Sequence, residues 1–246
     1  MKSIDLNCDL GEGFENDGEI MPFISSANIA CGAHAGDHDT MKRTIELAMQ
    51  HGVKAGAHPG FADKANFGRI ELPVTGEEVY TLVGEQIQLL EKIAAGIQCK
   101  LHHVKPHGAL YNMAARNKSL AAAIARAIKD FNPELILYGL SGSFLISEGK
   151  ALGLKTASEV FADRTYDDTG NLTPRSQPSA LISSDEEALN QVLKLVNEGF
   201  ITSVTGNLVA VQTETVCIHG DGDHAVSFAQ KIFSTLKQCN IEIRPV

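Results

Sequence analysis

The sequence predicts an α/β protein whose parallel strands close into a seven-stranded β/α barrel. Three observations point there. Short apolar, strand-like segments alternate with helical ones from end to end, the pattern of a parallel sheet that is either doubly wound or closed. No Gly-x-Gly-x-x-Gly follows the first strand, so the dinucleotide-binding form of a doubly wound sheet lacks its usual marker. Polar and ionisable residues stand at the C-terminal end of almost every strand, where a barrel builds its active site.

In chain order, the strand-like segments are residues 4–8, 27–31, 54–57, 101–105, 135–139, 156–161 and 216–219, with a weaker pair at 201–204 and 208–211. Seven is one short of the usual eight. Between them run helical stripes: Val79, Leu82, Val83, Ile87, Leu90 and Ile93; Leu120, Ile124, Ile128 and Phe131; Leu189, Val192, Leu193, Val196 and Phe200; Val226, Ala229, Phe233 and Leu236. Gly52, Gly96 and Gly199 fall where these helices should end in a left-handed cap. Ser183-Ser184 followed by Asp185, Glu186 and Glu187 reads as a helix start with acids in its first turn. With no repeat, linker or low-complexity tract, residues 1–246 read as one barrel domain.

Composition narrows the partners. With 43% hydrophobic and 21% charged residues, the chain is of ordinary globular type. A net charge of -9 and the lack of a Lys/Arg run argue against nucleic acid. No apolar run reaches the length of a membrane span, and the N-terminus leads straight into a strand rather than a signal peptide, so cytoplasm is the expected location. Five cysteines without a Cys-x-x-Cys pair argue against a disulfide framework or a zinc cage. Cys8, Cys31 and Cys217 read as small buried hydrophobes.

The densest cluster is His103-Val104-Lys105-Pro106-His107-Gly108-Ala109-Leu110-Tyr111-Asn112. Pro106 withholds a ladder donor, so the strand stops there. By period-two geometry His103 and Lys105 share a face, and a lysine aimed into a sheet interior needs an anion to meet it. The other strand ends repeat the theme. Strand one delivers Asn7, Asp9 and Glu12; strand two delivers Asn28 and His34, with Asp37 readable as a helix N-cap. His34 and His38 are four apart, but His34 precedes the helix, which disfavours a shared metal. Strand three ends in His58-Pro59-Gly60, echoing Pro106-His107-Gly108, and Arg69 follows a glycine on the next loop. Glu159 lies in an apolar setting that suits a carboxyl to proton transfer, and Arg164 offers a fork for a carboxylate or phosphate. The alternative is a plain Glu159–Arg164 ion pair. Strand seven ends in His219-Gly220-Asp221.

No phosphate-cradling loop, Gly-x-Ser-x-Gly elbow or His-Glu-x-x-His is present, so the chemistry draws on a His/Asp/Glu/Lys cluster. The catalytic candidates are Asp9, His58, Lys105, His107 and Glu159. Substrate-binding candidates are Asn7, Glu12, Asn28, His34, Arg69, Asn112, Arg164, His219 and Asp221.

Taken together, Asp5-Leu6-Asn7-Cys8-Asp9, Asn28-Ile29-Ala30-Cys31-Gly32, Gly56-Ala57-His58-Pro59-Gly60, Phe67-Gly68-Arg69, Val104-Lys105-Pro106-His107-Gly108-Ala109-Leu110-Tyr111-Asn112, Phe161-Ala162-Asp163-Arg164 and His219-Gly220-Asp221 resemble the LamB/YcsF family nearly end to end. The resemblance implies an irregular seven-stranded barrel of the TIM-like glycoside hydrolase/deacetylase superfamily. It also implies ATP-dependent (with Mg2+) cleavage of 5-oxo-L-proline to L-glutamate, alongside two partner subunits, B and C. Ile70, Ser179 and His38 depart from the family pattern. Two other readings compete: a self-sufficient metal-dependent amidohydrolase or deacetylase drawing on Asp9, His34 and His58, and a non-catalytic subunit that captures substrate for its partners. Whether a metal is bound is left open at this level.

Overall fold

The computed structural model describes residues 2–220 and 224–246. In order, the chain forms β1 (Ser3–Leu10), a short α1 (Asp17–Ile20), β2 (Ser26–Ala30), α2 (His38–His51), β3 (Lys54–His58), α3 (Gly76–Gly96), β4 (His103–Val104), α4 (Gly108–Arg116) and α5 (Lys118–Phe131). It continues with β5 (Ile136–Leu140), α6 (Phe144–Ala151), β6 (Thr156–Phe161), α7 (Asp185–Glu198), β7 (Phe200–Thr202), β8 (Leu208–Ala210), β9 (Thr215–His219), α8 (Ala225–Gln238) and β10 (Glu242–Ile243).

Seven parallel strands close the barrel in the order β1-β2-β3-β4-β5-β6-β9, and β9 pairs back onto β1 with His219 opposite Asp9. The weak strand pair of the sequence is an antiparallel ribbon, β7 with β8, outside the ring. The two-residue β10 adds beside the start of β1, where Ser3 faces Glu242. A segment so short leaves no periodicity to read. β4 is shorter than the expected residues 101–105, yet His102 and Lys105 still donate to the Ala55 and Ala57 carbonyls. The turn at Pro106 then ends the ladder.

The helices bury the stripes that predicted them. Val79, Val83, Ile87, Leu90 and Ile93 of α3 are shielded, and α3 packs against α5 through its Leu120, Ile124 and Ile128 side. Side chains of this size each contribute roughly 1.5–3 kcal/mol on burial. Left-handed caps occur at Gly52 and Gly199, but Gly96 is the last residue of α3 and the left-handed turn falls on Gln98. Asp37 and Ser184 cap α2 and α7, each accepting the N–H three residues on.

Barrel interiors of this architecture are usually filled by branched apolar residues. This one is polar. Along β1, Ile4, Leu6, Cys8 and Leu10 join the core under the helices, while Asp5, Asn7 and Asp9 alternate with them and face the lumen groups. At the floor, Asp5 accepts hydrogen bonds from Ser25, Ser26 and Thr215. Burial pushes the Asp5 carboxyl above its ordinary pKa, and those hydroxyls pull back against it. Asn7 donates to Thr215, Asn28 donates to Asn7 and Asp9, and His103 meets the Asn28 side-chain oxygen at 2.8 Å. That bond holds the His103 ring across the lumen toward Gly56, where a Cβ would lie 2.2 Å from His103 Nε2. Only glycine leaves the ring its place.

Candidate active site

The strand ends bring the sequence-predicted residues to one rim. Asp9 is near the end of β1, His58 closes β3, Lys105 follows β4, Glu159 sits in β6, and Cys217 and His219 end β9. Glu12, His34, Phe67 and His107 reach in from loops.

At the centre, Lys105 is 2% exposed, and its ammonium meets Asp9 Oδ1 at 2.8 Å, Asn7 Oδ1 at 3.2 Å, Cys217 Sγ at 3.1 Å and Glu159 Oε1 at 2.9 Å. Burial opposes its charge, but the Asp9 and Glu159 carboxylates outweigh burial and hold its pKa well above the ordinary lysine value. Burial likewise works against the Asp9 charge, and His58 and Lys105 overcome it, keeping this carboxyl well below its usual range. Glu159 is not in the apolar setting expected of it, nor paired with Arg164. Its Oε2 accepts the Tyr111 hydroxyl at 2.7 Å, and its other oxygen faces Lys105. Cys217 is buried, and burial drives its thiol well above the ordinary pKa, so it stays protonated.

Above the lysine lies a histidine cluster. His34 and His107 stack with centroids 3.8 Å apart and planes 2° from parallel, and His58 meets both edge-on. Glu12 Oε1 is 3.2 Å from His34 Nε2, 3.3 Å from His107 Nδ1 and 3.8 Å from His58 Nε2. His58 Nε2 is also 3.4 Å from Asp9 Oδ2, which links the cluster to the lysine centre. Burial, then the His58 charge, lower the His34 pKa to about 3; burial, then His58 and His34, push His107 well below its ordinary value. One ligand atom from each of Glu12, His34, His58 and His107 lies within 4.8 Å of the others; Asp9, Cys217 and His219 form a second such group.

The remaining candidates have other surroundings. Asn7 and Asn28 are fully buried and orient Asp9 and Lys105 from below. Arg69 is exposed at the mouth with its guanidinium 4.7 Å from the Phe67 ring centroid, and Phe67 packs against His34 and His107. Asn112 is half-buried on α4. Arg164 is buried but turned to the backbone: Nε donates to the Ala180 carbonyl and Nη2 to that of Thr173. His219 is held by Asp163, with Nδ1 2.8 Å from Oδ2, while its Nε2 faces Arg175 at 3.2 Å. Asp221 lies outside the described residues. His38 is on the exposed start of α2, away from His34. Sequence reasoning missed Tyr111 as the partner of Glu159 and Asp163 as the anchor of His219. It also missed Asp5, whose signal was present in the Asp5-Asn7-Asp9 alternation.

Similarity to known proteins extends over the whole barrel and its rim. The model of the LamB/YcsF family matches residues 4–246. The chain belongs to the LamB/YcsF family. A relative from Tolumonas auensis, named as the A subunit of 5-oxoprolinase, is 54% identical over 249 residues, covering 99% of both chains. A solved structure, a lactam utilization protein from Thermus thermophilus, superposes with a TM-score of 0.93 at 42% identity and covers 100% of both chains. The peptidoglycan deacetylase PdaC of Bacillus subtilis, at 12% identity and a TM-score of 0.51 over 100% of this chain and 88% of its own, shares the fold alone.

Proposed function

We propose that this chain is the lactam-handling subunit of an ATP-dependent 5-oxoprolinase, acting on 5-oxo-L-proline to give L-glutamate together with partner subunits B and C. The observation that carries the reading is the full-length relation, at 54% identity, to a protein named for that activity. The rim chemistry supports it.

A five-membered lactam is an unactivated amide. Transfer of a phosphoryl group from ATP to the amide oxygen gives a phosphorylated imidate and ADP. Water then adds at the ring carbon with loss of a proton, and the C–N bond breaks as the nitrogen takes up a proton to become the amine. The resulting γ-glutamyl phosphate is hydrolysed by a second water to glutamate and inorganic phosphate. The protein must therefore take a proton from water and return one to nitrogen. His58 and His107, with Nε2 and Nδ1 2.9 Å apart and Asp9 beside them, are placed for that exchange. Lys105 keeps Asp9 ionised and lends positive potential to the lumen where negative charge develops on oxygen. With no phosphate loop in this sequence, we assign ATP binding, with its Mg2+, to the partner subunits.

The test is an assay of glutamate release and ADP formation from 5-oxoproline, run on this chain alone and then with its co-purifying partners. Turnover is expected only with both partners and ATP. ATP-independent release of glutamate by the lone chain would refute this function.

A further inference from the structure

A 5-oxoproline substrate carries a carboxylate beside the lactam nitrogen, and a rim that selects it needs a cation to meet that charge. Lys105 and Arg164 are committed elsewhere. The lysine is enclosed by Asp9 and Glu159, and Arg164 donates to the Ala180 and Thr173 carbonyls. Arg175 has a different setting. It stands on the segment that follows β6, just past Thr173, and its Nη2 lies 3.2 Å from His219 Nε2. His219 Nδ1 in turn lies 2.8 and 2.9 Å from the two oxygens of Asp163. A carboxylate only accepts, so Nδ1 bears the ring hydrogen and Nε2 turns its lone pair to the guanidinium. The Asp163–His219 pair thus aims Arg175.

We propose, on the 5-oxoprolinase reading, that Arg175 recognises the carboxylate of the substrate and so sets the preference of the site for an anionic lactam over a neutral one. His219 puts the guanidinium in the right place. It lies opposite Asp9 in the pairing of β9 with β1, and one atom each of Asp9, Cys217 and His219 lie within 4.8 Å of one another. The His219 ring also stacks on Phe161 with centroids 5.7 Å apart, and Lys105 Nζ is 5.3 Å from the centre of that same Phe161 ring. Arg175 is therefore separated from the lysine centre by one imidazole, itself the size of a five-membered lactam ring. The segment that carries it is tied on both sides. Arg164 holds Thr173 and Ala180, the Thr173 N–H donates to the Thr165 carbonyl, and Thr165 Oγ1 donates to that of Ser179. A guanidinium presents five N–H groups in a planar fork that matches a carboxylate, so one bond to an imidazole orients it without exhausting it. Arg69, by contrast, stands over the Phe67 ring on the histidine side of the mouth.

The test uses the assembled complex with ATP, reading glutamate release from 5-oxoproline, with 2-pyrrolidinone, the same ring without its carboxylate, as a competitive inhibitor. Arg175→Ala should raise the KM for 5-oxoproline at least about tenfold, the scale of lost hydrogen bonds to a charged group, with kcat little changed. The Ki of 2-pyrrolidinone should stay at its wild-type value. Arg175→Lys, which keeps the charge but not the fork, should fall between the wild type and Arg175→Ala. A merely structural tie between this segment and the rim would shift KM and Ki together, since a loosened rim spares neither ligand. A wild-type complex that releases no glutamate would remove the lactam reading and the proposal with it. With an active wild type, equal shifts in the two constants, or an unchanged KM in Arg175→Ala, would overturn the proposal alone.

Discussion

Lys105 Nζ lies 2.8 Å from Asp9 Oδ1 inside a barrel lumen where the lysine is only 2% exposed. Two charges removed from water this completely are tolerated only as a set. Lys105→Met would leave Asp9 and Glu159 buried without their shared cation. The loss of stability in urea unfolding should be about 3–5 kcal/mol. Adding Glu159→Gln to that variant should restore part of it. A cost under about 1 kcal/mol for Lys105→Met would mean that the lumen is wetter than its burial indicates.

Gly56 and His103 compete for one volume. Gly56→Ala should cost at least about 2 kcal/mol, because the ring cannot move without giving up its bond to Asn28. In the double variant Gly56→Ala/His103→Ala the two costs should fall short of additive, measured as thermal unfolding of all four members of the cycle.

The buried His34 makes stability depend on pH. Its folded-state pKa of about 3 lies below the 6.5 of a free histidine, so between those values the unfolded chain binds the extra proton. Stability is complete above about pH 6.5 and falls as the pH drops toward 3. From pH 7 to pH 5 the loss should be roughly 2 kcal/mol from this residue. His34→Gln should remove that share of the slope. An unchanged slope would show that the His34 ring protonates within the fold.

Arg164 ties together the segment that follows β6. Arg164→Met would strip donors from the buried carbonyls of Ala180 and Thr173, each worth about 1–3 kcal/mol. Unfolding at lower urea is expected, together with faster proteolysis within residues 164–181. Unchanged stability and cleavage would free Arg164 for the substrate-binding role its sequence position suggested.

Much of this architecture is legible in the chain. The seven barrel strands and their rim follow from alternation, from the stop at Pro106, and from His58 and His107 recurring beside Pro and Gly. What the sequence hides is long-range pairing. Nothing local to Tyr111 announces Glu159, 48 positions away, and nothing near Asp163 announces His219, 56 positions on. The polar lumen is intermediate. Asp5, Asn7 and Asp9 are spaced to share a face, but an apolar strand with polar alternates reads equally as half solvated until the ring closes around it. Arg164 shows the opposite case: its fork suits an anion in the sequence, and in the fold it donates to two carbonyls.

The most direct test of the proposed role is glutamate release from 5-oxoproline and ATP by the assembled complex carrying His58→Ala/His107→Ala in this chain. With assembly verified by gel filtration, turnover should fall by about 10²–10⁴-fold, the contribution of positioned acid–base groups. Turnover at the wild-type rate in an intact complex would contradict it, and would move the chemistry to one of the partners.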